Sequence, residues 1–322
     1  MRKFVIFSAF IFLWMGCTQP KHPSTWSVVA ADPATGEVGV ASASCVPVAI
    51  DGLASLVPGK GVAATQAAFD IANRDRVFEL LQDGKSADEI IATVTGDDTG
   101  KDDRQYGIIT IIDGGVQIAG FTGKNNGDWA GDRQGDFPYP VTAQGNILES
   151  EEVVQAALDA FQDESVGPLT LSDRLMRALE AGSAAGGDTR CNRVVQQTAS
   201  AAFIMVAQGD EAPFAAPDFG QATTDIATSP SLHLSVSNQV GGPNPIIELR
   251  EHYDEWRASN LPICSNCDLA AITVPAGGGS LSSILGIILF IVPAWLALVC
   301  SGLIILAAFL TIRFIRRRRS AQ

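Results

Sequence analysis

Trp26-Ser27-Val28-Val29-Ala30-Ala31, then Asp32-Pro33-Ala34-Thr35-Gly36, then Glu37-Val38-Gly39-Val40-Ala41-Ser42 is the stretch that decides the fold. Two runs of small and branched apolar residues flank five residues rich in Asp, Pro, Thr and Gly, which is the composition of a β-hairpin and its loop. Both faces of each run are apolar, so the hairpin belongs inside the molecule, covered on two sides.

A short strand at 62–66 leads into a helical pattern over 71–82, and Ser86-Ala87-Asp88-Glu89 is a capping box that opens a second helix. A second hairpin pairs 106–112 with 116–121 across Asp113-Gly114-Gly115, and helices follow over 150–161 and 172–181, the last stopped by Gly182. Strands return at 199–207 and 231–237, before an amphipathic helix over 246–257. Hairpins and paired helices exclude a doubly wound parallel sheet, in which βαβ crossovers dominate. The pattern predicts two antiparallel sheets with helices outside.

The chain has 322 residues, 47% hydrophobic and 18% charged, with a net charge of −13, which excludes a disordered tail and a small disulfide scaffold. Seven of the 22 cations lie in the terminal segments, so 15 cations face all 35 acidic residues in the middle, a net charge of −20 there. That charge repels anionic partners, and no Lys/Arg-rich globular stretch offers a nucleic-acid surface. Three dispersed histidines give no metal-ligand pattern. Neither a metal nor a cofactor is expected. Gly59-Lys60-Gly61-Val62-Ala63-Ala64 matches a dinucleotide fingerprint in letters, but it precedes a strand instead of opening a helix and is read as a turn. The acidic loop 97–103 lacks EF-hand spacing and is read as solvated. No Gly-x-Ser-x-Gly or His-Glu-x-x-His occurs, so serine-hydrolase and zincin readings have no anchor.

Both ends are membrane-directed. Arg2 and Lys3 precede an apolar run over 4–14 and then Gly16-Cys17, the order of an export signal; the Gly-Cys pair resembles a lipobox, in which Cys17 carries lipid. Residues 284–312 carry no charge and are followed by Arg313 and four consecutive arginines, Arg316 to Arg319, the pattern of a transmembrane helix with a cytoplasmic tail. The expected organisation is a signal segment (1–17), a linker (18–23), a globular domain (24–258), a Cys-x-x-Cys and Gly-rich linker (259–283), the helix (284–312) and a basic tail (313–322). This places the domain outside the cytoplasm on a single-pass anchor. Of the remaining cysteines, Cys45, Cys191, Cys264 and Cys267 form an even set in an oxidising compartment, and we pair Cys45 with Cys191 and Cys264 with Cys267.

Ser24-Thr25-Trp26-Ser27-Val28-Val29-Ala30-Ala31-Asp32 and Gly36-Glu37-Val38-Gly39-Val40-Ala41-Ser42-Ala43-Ser44-Cys45 resemble the opening of the uncharacterised prokaryotic family catalogued as domain of unknown function 1028. The resemblance continues through Val57-Pro58-Gly59, Ala64-Thr65-Gln66-Ala67, Arg104-Gln105-Tyr106-Gly107, Phe121-Thr122-Gly123, Gln144-Gly145-Asn146-Ile147-Leu148 and Gly187-Asp188-Thr189-Arg190-Cys191, and it ends at Tyr253-Asp254-Glu255-Trp256. It supports the Cys45 to Cys191 bridge. It also implies a fold similar to the N-terminal-nucleophile hydrolases, so the fold class expected for the whole chain is α+β, a four-layer αββα sandwich plus one C-terminal transmembrane helix.

In hydrolases of that fold the first residue of a strand supplies a hydroxyl or thiol nucleophile, and its own α-amine is the general base. Thr25 occupies the equivalent place. The resemblance therefore suggests Thr25, Lys60, Gln66 and Asn146 as a catalytic set, with Lys60 lowering the pKa of the amine, and Asp32, Asp188 and Arg190 as substrate-binding residues. The structural alternatives are an ordinary strand residue at Thr25, turn residues at Gln66 and Asn146, and an ion pair between Asp188 and Arg190. A lipidated Cys17 would leave Thr25 without a free amine unless a second cleavage followed Ser24. Two functions stand: an exported, membrane-tethered amide-bond hydrolase acting on a peptide, small acyl amide or cell-wall ligand, or a non-catalytic envelope binding module with the same fold. Homo-oligomerisation is compatible with both.

Overall fold

The computed structural model describes residues 25–195, 197–216 and 229–260. The export signal, Cys17, Cys264 with Cys267, the Gly-rich linker, residues 284–312 and the basic tail lie outside them.

The opening hairpin forms as β1 (Thr25–Ala31) and β2 (Val38–Ser44), in register from Thr25 opposite Ser44 to Ala31 opposite Val38, with every strand residue buried. Its loop is fixed by Asp32, whose carboxylate accepts the Ala34 amide at 2.9 Å and the Thr35 hydroxyl at 2.8 Å. The chain continues as β3 (Ala54–Val57), β4 (Gly61–Ala67), α1 (Ile71–Gln82), α2 (Ala87–Gly96), β5 (Arg104–Ile112), β6 (Gly115–Thr122), β7 (Trp129–Gly135) and β8 (Val141–Leu148). Then come α3 (Glu152–Gln162), α4 (Leu171–Ala184), α5 (Thr189–Val195), β9 (Ala201–Ala207), β10 (Phe214–Ala215), β11 (Leu232–Ser237) and α6 (Pro245–Asn260).

The strands form two antiparallel sheets, β11-β9-β2-β1-β8-β7 and β10-β3-β4-β5-β6. Alternation along β1 sends Trp26, Val28 and Ala30 to a core shared with α3, α4 and α6, whereas Val29 and Ala31 pack against Leu56, Val62 and Ile109 of the second sheet. The far face of the second sheet, including Ala63, Tyr106 and Ile108, packs on Val77 and Leu81 of α1 and on Ile90 of α2. Three apolar layers thus separate helices, sheet, sheet and helices.

The fold class expected for the whole chain is corrected. It is α+β, with two antiparallel sheets and six helices among the described residues, and none of those helices is long and apolar enough to cross a membrane. The longest, α6, has 16 residues, short of the roughly 20 apolar residues a bilayer requires. Gly182 does not stop a helix either, since α4 runs on to Ala184. A Cβ at Gly182 would lie 2.8 Å from the Trp26 indole nitrogen, so the glycine lets α4 approach the sheet. Strands β3, β7, β8 and β10 and helix α5 are unannounced in the sequence. Asp132, Arg133 and Gln134 give β7 no apolar period, and it forms by pairing along β8 with a bulge between Trp129 and Gly131.

Candidate functional site

The space between the sheets is apolar at the hairpin-loop end and polar at the other. At the polar end Thr25, Ser27, Ser42 and Ser44 of the hairpin and Thr142, Gln144 and Asn146 of β8 share the inward face, opposite Gln66 of β4 and Gln105 of β5. All nine are at most 3% exposed. Burying this many polar side chains in a sheet-sheet core is costly unless each finds partners.

Seven of the nine residues share one hydrogen-bond network, while the Ser42 hydroxyl donates to the Trp26 carbonyl at 2.9 Å. The side-chain oxygen of Gln105 accepts from the amides of Gln66 (2.8 Å) and Asn146 (2.9 Å), and the same two amides donate to the Thr25 carbonyl at 3.3 and 3.5 Å. Gln105 in turn donates to the Gly145 carbonyl at 2.7 Å and to the Thr122 hydroxyl at 2.9 Å. Ser27 donates to Gln66 at 2.6 Å and accepts from Gln144 at 2.6 Å, and Thr142 donates to Gln144 at 3.0 Å. Gly107 makes room for this, because a Cβ there would lie 2.2 Å from the Gln144 side-chain oxygen.

Three non-glycine residues with positive φ border the same end: Ala67 (69°) beside Gln66, Ile147 (51°) beside Asn146, and Asp128 (41°) just before β7. For a β-branched residue such as Ile147 this conformation is a true outlier, with a cost of order 1–3 kcal/mol. It is held by Thr189, whose hydroxyl donates to the Ile147 carbonyl at 3.0 Å and to Asp128 at 3.3 Å.

Asp188 and Arg190 join this end through β2. The fully buried Asp188 carboxylate accepts the Cys45 amide at 2.8 Å, one residue past Ser44, and takes the Arg190 backbone amide at 2.9 Å and its guanidinium at 2.7 and 3.1 Å. The Cys45 to Cys191 disulfide, with Cα atoms 5.6 Å apart, ties α5 to the same strand end. A buried carboxylate with this many charge-assisted donors is a rigid clamp.

The residues proposed from sequence therefore divide. Thr25, Gln66 and Asn146 are brought together, with Asp188 and Arg190 attached behind Cys45. Lys60 and Asp32 are not with them. Lys60 sits in the turn between β3 and β4, where its ammonium donates to the Gln82 carbonyl, and Asp32 closes the hairpin loop. The seven residues of β1 put that loop about 20 Å from Thr25. Neither residue can touch the Thr25 hydroxyl. Sequence reading did not single out Gln105, Ser27 or Gln144; the only signal in the letters was a polar residue within a strand-forming run.

The fold and the site define an α+β sandwich whose inter-sheet space ends in a buried carboxamide cluster around the first residue of the central strand. The chain belongs to the family of unknown function DUF1028, whose model matches residues 25–236. It is similar to the crystal structure of protein SPO2555 from Silicibacter pomeroyi, also a DUF1028 protein, at 25% identity and a TM-score of 0.55, over 73% of this chain and 86% of that one. No curated protein is significantly similar to it.

Proposed function

We propose that this protein is an exported amide-bond hydrolase that uses Thr25, exposed as a mature N-terminus, as its nucleophile. The observation that carries the reading is the convergence of the Gln66 and Asn146 amides, both bridged by Gln105, on the Thr25 carbonyl at the buried end of β1. The carboxamides hold the Thr25 backbone by its carbonyl, and the described residues give the Thr25 hydroxyl no hydrogen bond to break. In the reaction the hydroxyl oxygen bonds to the substrate carbonyl carbon while the α-amine, whose ordinary pKa is about 7.7 to 8.0, takes the proton. The C–N bond then breaks, the amine leaves with that proton, and water cleaves the resulting ester. Amide and backbone N–H groups at this end are suited to a developing oxyanion. Lys60, held at the loop end on the Gln82 carbonyl, has no part in this scheme, and the Arg190 charge is matched by the buried Asp188 carboxylate. A disulfide between sites 146 residues apart favours an oxidising compartment.

The test is labelling by a β-lactone, which acylates an activated threonine hydroxyl, read by intact mass on the protein isolated from its native source. One adduct on Thr25, lost in Thr25→Ala with the fold intact, is the expected result. No adduct on a chain that begins at Thr25, with no turnover of an amide panel, overturns the hydrolase and leaves the binding module.

A further inference from the structure

At the end of the first sheet remote from Thr25 lies a groove of about 400 Å³, open to solvent. It is independent of the site above. Its lining includes the buried Leu171 and Val206, two aromatic rings, Tyr139 and Trp256, and the polar pair Glu37 and Gln208.

Glu37 is unusual for this surface. It begins the return arm of the opening hairpin and is only partly exposed, and its carboxylate accepts one side-chain hydrogen bond, from Gln208 at 3.0 Å. Among the described residues it has no cationic partner. Lys60, in the neighbouring turn, is committed to the Gln82 carbonyl, and Arg174, whose guanidinium carbon lies 6.0 Å from the Tyr139 ring centre, bonds to the Phe161 carbonyl at 2.7 Å. The other charges around Glu37 are acidic. Burial first, then the neighbouring Asp32 and Glu211, hold its carboxyl above the usual range, against the lowering effect of Gln208. A half-desolvated carboxylate beside like charges is an unpaid electrostatic cost in the free protein, and a cation relieves it. Aromatic rings add attraction for a cation that has shed its water. The domain's surplus of 20 negative charges draws cations toward the groove.

We propose that this groove binds an organic ammonium group, its alkyl chain along Pro168 and Leu169, which line the groove beside the buried Leu171 and Val206, its charge on Glu37, and Tyr139 and Trp256 flanking it. An alkylammonium such as a lysine side chain fits this chemistry; an anion or a neutral sugar does not meet the uncompensated carboxylate.

The test is calorimetric titration of the full-length chain with Nα-acetyl-lysine methylamide, and with the norleucine analogue, which lacks only the ammonium. The expected result is saturable binding of the lysine compound, at least tenfold tighter than norleucine. Glu37→Gln weakens it at least tenfold, and Thr25→Ala leaves it unchanged. Should Glu37→Gln fold poorly by near-ultraviolet circular dichroism, Tyr139→Leu serves in its place, with the same loss expected. Equal affinity for the two compounds, binding that survives the substitution, or no saturation overturns the proposal.

Discussion

Gln105 is the residue on which the buried cluster depends. It accepts from two amides and donates across both sheets, so Gln105→Leu keeps the approximate volume while leaving Gln66, Asn146 and the Gly145 carbonyl without it. At about 1–3 kcal/mol per stranded buried group, the variant should lose about 2–4 kcal/mol of unfolding free energy, measured by denaturant titration. Asp173 supplies a pH prediction. Burial raises its carboxyl, but hydrogen bonds from Arg257, Thr170 and Tyr253 more than offset this, and its pKa is lowered. A lowered folded-state value means that the stabilisation is present above the ordinary aspartate range, near pH 4, and is lost as pH falls through the folded value. Stability should therefore drop below about pH 4 as the tie between α4 and α6 weakens. Asp173→Asn should flatten that limb in thermal melts taken from pH 6 to pH 2.

Which of the proposed site residues would meet depended on geometry that spacing does not carry. A separation of 35 residues between Thr25 and Lys60 does not say at which end of the strands each lies; the register does, placing Lys60 at the loop end. Gln105 and Gln144 were hidden for a related reason. A polar residue on an apolar strand faces solvent or core according to its phase, and only the second sheet shows that their phase is inward.

At the scale of elements, local chemistry was legible where it is self-contained. The opening hairpin, the cap of α2 and the helix over 71–82 follow from loop composition, capping and period, and each lies where those signals placed it. Ser86 accepts from the Glu89 amide while Glu89 accepts from Ser86, so Ser86→Ala should cost about 1 kcal/mol and lower the melting temperature by a few degrees. Strand β7 was illegible because its residues carry no period of their own and its stability comes from β8. The disulfide is the other element-level tie. Cys45→Ser with Cys191→Ser opens a link across 146 residues and should cost about 2–5 kcal/mol. Hydrogen exchange should rise first in α5 and at the Asp188 clamp, and urea titration gives the size of the loss.

For the whole molecule, two sheets back to back with helices outside follow from two-sided apolar strands joined by hairpins, because such strands require cover on both faces. The division of the space between the sheets is what no single strand announces: apolar near the hairpin loop, amide-lined near Thr25, with backbone strain beside it. That division, and not the bare presence of a threonine, is what marks the start of β1 as the candidate site. The central claim then rests on one chemical fact, whether Thr25 carries a free amine. Terminal sequencing with intact mass of the protein from its native source decides it. A mature chain that begins at Thr25 is the expected result; a chain continuous through Ser24 and Thr25 would leave the hydroxyl without its base and overturn the hydrolase.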